Sequence, residues 1–363
     1  MARICVYGAG AIGCYLGGRL LAAGADLGFV GRPRSAEELA EQGLTLTDLH
    51  GGRWRVAPAG ITVATGPEGA ATADLALVTV KSTATGTVAA ELAQVLRPGA
   101  VVVSFQNGLG HAERLRAALP GRTVLAGMVP FNVVSPGPGA FHQASAGELA
   151  IAEDAALAPF LPAFATAGLS LKRHRDMLPV QWAKLLLNLN NAVNALADRP
   201  LREELSLRAY RRCLALAQAE ALALLDETGL RPARLTPLPA HWIPRLLDAP
   251  DWLFARLAAR MLAIDPTARS SMSDDLAAGR PSEIDWINGE VVGLAARHGR
   301  KAPVNARLVA LIHAAEASTE RPVWSGPALL AELEAARQFP GGDSVVAARR
   351  AAEARPHRED ERH

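Results

Sequence analysis

Arg3-Ile4-Cys5-Val6-Tyr7-Gly8-Ala9-Gly10-Ala11-Ile12-Gly13 sets the frame for the rest of the chain. An apolar run of strand character ends in Gly-x-Gly-x-x-Gly, and the stretch from Cys14 to Ala23 that follows has helical character. In this pattern the first glycine permits a tight strand-to-helix turn, the second lets the backbone approach a pyrophosphate, and the third lets helix and strand pack closely. Phosphate charge then meets the free N–H groups and the positive dipole end of the helix. The alternative is an ordinary strand-helix turn. The position directly after a strand favours the dinucleotide reading, with Gly8, Ala9, Gly10, Ala11, Ile12 and Gly13 as the contacts.

A second strand, Asp26-Leu27-Gly28-Phe29-Val30, ends where an acidic residue binds the ribose 2′-OH of NAD in this class of site. Here the chain reads Gly31-Arg32-Pro33-Arg34. A carboxylate repels a 2′-phosphate, whereas guanidinium groups bind phosphate through charge-assisted hydrogen bonds. The expectation is NADP(H), with Arg32 as the phosphate contact and Arg34 either a second contact or a solvated charge.

At 363 residues the chain is long enough for about two domains, each with its own core. Half the residues are apolar, and a formal net charge of +2 implies no field that draws nucleic acid or an anionic membrane. Cys5, Cys14 and Cys213 lack paired spacing, which fits a reducing compartment and small buried hydrophobes; Cys14, near a helix start, is the one candidate for a reactive thiol. The uncharged run Ile4 to Gly18 is too short for a membrane span, and its glycine spacing has a role in a folded domain, so a signal sequence is rejected and a cytoplasmic protein expected. The histidines show no metal-ligand spacing, so no metal is expected. Lysine is scarce: Lys81, Lys172, Lys184 and Lys301 stand against 34 arginines, which draws attention to ammonium chemistry at those positions.

Further apolar runs at Ile61–Ala64, Leu75–Val80, Ala100–Phe105 and Thr123–Met128 alternate with helical stretches at Ala84–Leu96 and Gly110–Leu119. The alternation predicts an α/β Rossmann-type, doubly wound parallel sheet with ligands at the carboxyl ends of its strands. Phe141 to Ala152 reads as one or two extra edge strands. Beyond the polar stretch Lys172–Asp176 the pattern is helical: Val180–Leu196, Arg202–Thr228, a proline-punctuated segment to Pro250, Trp252–Ala263, Ser282–His298 and Ala306–Glu316. The expected organisation is a nucleotide domain over 1–172, an all-α domain over 178–320, a helical extension over 321–346 and a disordered tail over 347–363.

Polar residues stand out at two strand ends, Lys81 after Leu77-Val78-Thr79-Val80 and Asn107 in Phe105-Gln106-Asn107-Gly108. Lys184 and Asn188 lie one turn apart in the apolar helix Trp182-Ala183-Lys184-Leu185-Leu186-Leu187-Asn188, where unpartnered burial costs several kcal/mol. Ser282 is placed to cap a helix whose first turn holds Glu283 and Asp285, keeping both carboxylates ionised, and an ionised Glu283 is suited to orienting Lys184.

Together Gly8–Gly13, Val78–Lys81, Asn107-Gly108, Lys184–Asn188, Ser271-Met272 and Glu283-Ile284-Asp285-Trp286-Ile287-Asn288-Gly289 make the chain resemble the ketopantoate reductase (2-dehydropantoate 2-reductase) family from Arg3 to Glu316. The resemblance implies a C-terminal helical domain like that of 6-phosphogluconate dehydrogenase and NADPH-dependent reduction of ketopantoate to (R)-pantoate in pantothenate and coenzyme A biosynthesis. It also implies Arg32 and Lys81 at the adenosine-side phosphate and Asn107 beside nicotinamide and substrate. Lys184 becomes the general acid, supported by Glu283, while Asn188 and Ser271 hold substrate polar groups. A second asparagine of the family falls on Ala192 here; neighbouring Asn191 projects close to the direction of Lys184 and is the expected substitute.

Hydride arrival at a 2-keto carbon leaves charge on oxygen, which a nearby ammonium stabilises and then protonates. The partner is therefore a small 2-keto acid. Two alternatives stand beside ketopantoate reduction: a related reductase of another branched 2-keto acid, and a catalytically silent NADP-binding regulator. Apolar helical faces leave a homodimer open.

Overall fold

The structure, a computed structural model, describes residues 2–257 and 268–339. The end of the helix expected at Trp252–Ala263, the end of the 321–346 extension and the 347–363 tail lie outside the described residues. The chain forms two compact units. The first contains everything to Asn188 together with Leu230–Leu238, and the second contains Leu189–Gly229 and the described residues from Pro239 onward.

The first unit runs β1 (Ile4–Tyr7), α1 (Ala11–Ala22), β2 (Leu27–Val30), α2 (Pro33–Gln42), β3 (Leu44–Thr47), β4 (Arg53–Val56), β5 (Thr62–Ala64), β6 (Leu75–Val78), α3 (Thr85–Val95), β7 (Val101–Ser104), α4 (His111–Ala118), β8 (Thr123–Met128), β9 (Val133–Gly137), β10 (Ala140–Gln143), β11 (Leu149–Ala152), α5 (Leu161–Thr166), β12 (Leu171–His174) and α6 (Leu178–Asn188). Its main sheet has the order β12-β11-β8-β7-β6-β1-β2-β5. From β8 to β5 every pairing is parallel, the doubly wound arrangement, and the strand order reverses between β1 and β6.

Alternation along each strand builds two cores, one on each face. Ile4, Val6, Leu75, Leu77, Val101 and Val103 face one side with Tyr15, Leu16 and Leu20 of α1. Cys5, Tyr7, Ala76, Val78 and Val102 face the other with Val88 and Leu92 of α3 and Leu115 of α4. The sequence did not reveal a second sheet, β4-β3-β10-β9. Buried Arg19 ties α1 to it, stacking on Trp54 of β4 at 3.5 Å while Tyr15, its hydrogen-bond partner at 2.9 Å, donates to Gln143 of β10 at 2.8 Å.

Two boundaries differ from the sequence reading. The polar stretch from Lys172 includes an eighth strand, β12, whose charges suit an edge with β11 as its neighbour among the described residues. Helix α6, expected at the head of the helical half, belongs to the first unit, where Met177 and Val180 bury in the α3–α4 core.

The second unit holds α7 (Asn190–Ala197), α8 (Leu201–Ser206), α9 (Arg208–Glu227), α10 (Ile243–Leu247), α11 (Asp251–Leu257), α12 (Ser271–Ala277), α13 (Ile284–Arg297), α14 (Pro303–Ala317) and α15 (Gly326–Gln338), with no strand among the described residues. The helix expected over Arg202–Thr228 is two. Arg211, fully buried, donates to the carbonyls of Leu205 and Ser206 at 3.0 Å and so satisfies the end of α8, while Leu207 turns extended. The helix expected over Val180–Leu196 is likewise divided, at Leu189, which keeps helical dihedrals.

Candidate active site

The glycine turn lies at the carboxyl end of β1, beside the point where the strand order reverses. Gly8 has φ +120°, a conformation L side chains rarely adopt, and its carbonyl accepts the Thr79 hydroxyl at 2.8 Å. A Cβ on Gly13 would stand 2.0 Å from that same carbonyl oxygen and 2.6 Å from Thr79 Oγ1, so close packing of turn, helix and β6 requires glycine there. A Cβ on Gly10 would meet nothing within 4 Å. No side chain caps α1 and no acidic residue sits in its first turn. A turn with protein-imposed glycines on both sides, an open face at Gly10 and uncapped helix amides fits a dinucleotide pyrophosphate.

At the end of β2, Gly31 packs so closely on Ala9 that an added Cβ would lie 2.7 Å from the alanine methyl. Arg32 follows in extended conformation as the residue preceding α2, and both it and Arg34 are exposed. A guanidinium thus stands after β2, at the position where an acidic residue binds the ribose 2′-OH in NAD-binding sites of this class.

Lys81 is exposed and precedes the short 3₁₀ turn Ser82–Ala84, three residues past the end of β6. Asn107, half-buried, follows β7. A buried polar network joins these two loops. The Asn107 carbonyl accepts Ser82 Oγ at 2.9 Å and His111 Nε2 at 2.7 Å; His111 Nδ1 lies 3.0 Å from Thr85 Oγ1, which also accepts Gln106 Nε2 at 2.8 Å. Because a carbonyl only accepts, His111 carries its proton on Nε2. From sequence, His111 figured only among the histidines without metal-ligand spacing; its signal was its place four residues after Asn107.

Lys184 is directed at the carboxyl edge of the same sheet, where its Nζ donates to the carbonyl of Pro130, two residues beyond β8, at 3.1 Å. Burial lowers the ammonium to about 8, close to neutrality for a lysine. Asn188, four residues on, closes α6 and is half-buried. The first unit therefore contains the glycine turn, Arg32, Lys81, Asn107, Lys184 and Asn188.

The second unit contains the remaining expected residues. Ala192 is fully buried, whereas Asn191 is half-exposed, so of the two only Asn191 has a side chain facing outward from the packed helix. Ser270, which caps α12 by accepting Ser273 N–H at 3.1 Å, donates to the Asn191 carbonyl at 3.3 Å, so the residue before Ser271 is held against the backbone of Asn191. Glu283 is buried and occupies the cap position of α13 itself. Ser282, expected as that cap, sits one residue earlier, its hydroxyl accepting Ile284 N–H at 3.3 Å while its own N–H is taken by Glu316 at 2.8 Å.

The thiols are excluded from this chemistry. All three cysteines are buried, and desolvation pushes Cys14 up to about 12 despite its place near a helix start. Among the described residues no group of three metal-ligating side chains is assembled, and no helix is long and apolar enough to cross a membrane.

The chain is similar along most of its length to known proteins. Residues 4–155 match the family model "Ketopantoate reductase PanE/ApbA", and residues 176–316 match the model of its C-terminal part. A 2-dehydropantoate 2-reductase of Halobacterium salinarum is 31% identical over 331 residues, covering 86% of this chain and 99% of that protein. One from Caulobacter vibrioides is 29% identical over 260 residues, covering 70% and 81%. Among solved structures, a PanE/ApbA family ketopantoate reductase from Ralstonia eutropha superposes with TM-score 0.74 at 28% identity over 86% of this chain and 98% of that one. D-mandelate dehydrogenase, solved with NADH and anilino(oxo)acetate, shares the fold with TM-score 0.69 at 18% identity, covering 86% and 98%.

Proposed function

The chain belongs to the ketopantoate reductase family, and we propose that it reduces 2-dehydropantoate to (R)-pantoate with NADPH, in the cytoplasm, as a step of pantothenate and coenzyme A biosynthesis. The observation that carries the reading is the Lys184 ammonium, lowered to about 8 and directed at the carboxyl edge of the nucleotide-binding sheet.

Gly8 to Gly13 would hold the pyrophosphate, Arg32 and Lys81 the adenosine-side phosphate, and Asn107 the nicotinamide side. When bound, the reduced nicotinamide supplies the hydride. Lys184 stabilises the oxygen of the 2-keto group electrostatically as charge develops there, then releases one proton to it, so that hydride and proton together give the 2-hydroxy acid. Water returns the proton to Nζ. Asn188, Asn191 and Ser271 are proposed to take the polar groups of the keto acid, and Glu283 is proposed as the carboxylate of the catalytic set.

A reductase of another branched 2-keto acid is the second reading, favoured by buried Ala192 and half-exposed Asn191, an asparagine shifted by one position. The test is NADPH and NADH oxidation with ketopantoate beside a panel that includes the aryl keto acid corresponding to mandelate. The proposal expects the highest kcat/KM with ketopantoate and NADPH. Preference for a different keto acid moves the assignment to the second reading, and no turnover with any of them overturns both.

A further inference from the structure

Helix α8 buries Glu204 completely against α7. Glu204 Oε2 accepts the side-chain amide of Asn190 at 3.1 Å and that of Asn194 at 3.1 Å. Asn194, itself fully buried, also donates to the Arg199 carbonyl at 2.9 Å, and its Oδ1 accepts the backbone N–H of Ser270 at 2.9 Å. With both amide hydrogens committed to oxygen acceptors, the amide has one orientation, and its oxygen points at Ser270. Ser270 is the cap of α12, whose first residue is Ser271, and its hydroxyl bonds the backbone of Asn191. A continuous line of hydrogen bonds thus leads from a buried carboxyl to Ser270, the residue before Ser271, and on to the backbone carbonyl of Asn191.

The other oxygen of Glu204 and Oδ1 of Asn190 are buried acceptors with no donor among the described residues. A charged carboxylate so placed lacks compensation, and a proton on Glu204 removes the charge and provides a donor. Burial pushes Glu204 up to about 8, opposed by the two asparagine amides, with no cation among the described residues offsetting the cost. The titratable groups that feel it, Tyr210 and Cys213 on α9, are themselves raised by burial and stay neutral across the physiological range.

We propose that Glu204 is a positioning residue of the keto acid site, acting through Asn194 on the first turn of α12. It works as a neutral acid. A glutamine reproduces both the acceptor and the donor, whereas an alanine frees the Asn194 amide to rotate and lets the Ser270 N–H lose its acceptor. The inference rests on the proposed contact of Ser271 with the keto acid, and the test separates the two.

Steady-state kinetics of the full chain are measured for wild type, Glu204→Gln, Glu204→Ala, Asn194→Leu and Ser271→Ala, with NADPH binding followed by its fluorescence. Glu204→Ala and Asn194→Leu are expected to raise KM for the keto acid about tenfold, the scale of one lost buried hydrogen bond, while NADPH affinity stays within about twofold. Glu204→Gln is expected to match wild type. Asn194→Leu carries the test if Glu204→Ala does not fold. A normal keto acid KM in Asn194→Leu, or Glu204→Gln as impaired as Glu204→Ala, overturns the positioning role when Ser271→Ala raises KM. A normal KM in Ser271→Ala itself overturns the contact on which the role depends.

Discussion

A lysine that desolvation has brought to about 8 stays mostly protonated at neutrality yet gives up its proton more readily than a free ammonium, which suits a general acid. The rate of keto acid reduction should therefore fall above about pH 8, approaching tenfold per unit, and the reverse oxidation should rise over the same range. The kcat–pH profiles in both directions check this; a reductive kcat flat to pH 10 contradicts it. Glu204 makes a separate prediction, read in stability. Its folded pKa is raised to about 8, so between its ordinary value of 4.5 and about 8 the folded chain binds more protons than the unfolded chain, and stability falls as pH rises through that window. The drop, on the order of a few kcal/mol, should be absent from the Tm–pH curve of Glu204→Gln. Arg32→Ala should lower kcat/KM for NADPH by roughly tenfold or more and leave that for NADH nearly unchanged, as expected for one charge-assisted phosphate contact. Equal losses with both cofactors would remove Arg32 from 2′-phosphate recognition.

At the scale of elements, the turn after β1 separates glycines required by the protein from glycines available to a ligand. Gly13→Ala should lower both Tm and NADPH affinity, because its Cβ collides with the Gly8 carbonyl and Thr79. Gly10→Ala meets only open space, so it should keep the wild-type Tm while weakening NADPH at least about tenfold. Thermal melting with and without NADPH distinguishes these outcomes. The network behind Asn107 is similarly local: His111→Ala should loosen the Asn107 carbonyl and raise KM for NADPH, with His111→Gln restoring it through an amide N–H in place of Nε2–H. The parallel strands were legible because each is a short apolar run bounded by turn residues, and α3 and α4 because they fill the stretches between them; α2, Pro33–Gln42, is mostly polar and was not named. The second sheet was not, since β3 is half-buried and β4 reads Arg53-Trp54-Arg55-Val56, a pattern that burial of alternate residues explains only once β3 is beside it. The breaks at Leu189 and Leu207 also left no punctuation: one keeps helical dihedrals, and the other depends on a buried arginine arriving from α9.

For the molecule as a whole, a common family covers both units, while the chemistry is distributed unevenly between them. The nucleotide turn and the proposed proton donor belong to one unit because α6 packs into the core of the nucleotide domain. The sequence pattern placed that helix in the helical half, and the match to the C-terminal family model also begins before it, at residue 176; its packing is what joins it to the first unit. The site residues named in advance had a strand end, a glycine turn, the spacing from a lysine in an apolar helix or a helix start as signal, and Ser271 came from the family resemblance alone. Thr79, His111, Pro130, Asn194 and Glu204 make their hydrogen bonds through backbone carbonyls or buried amides, which no spacing in the chain announces.

The most direct test of the whole account is NADPH oxidation by Lys184→Ala in the presence of ketopantoate, with NADPH affinity measured on the same preparation. Turnover should fall by at least about 100-fold, the scale of a lost general acid, while NADPH binding stays near wild type. Near-normal turnover with intact NADPH binding would contradict the assignment of the proton donor and the mechanism built on it.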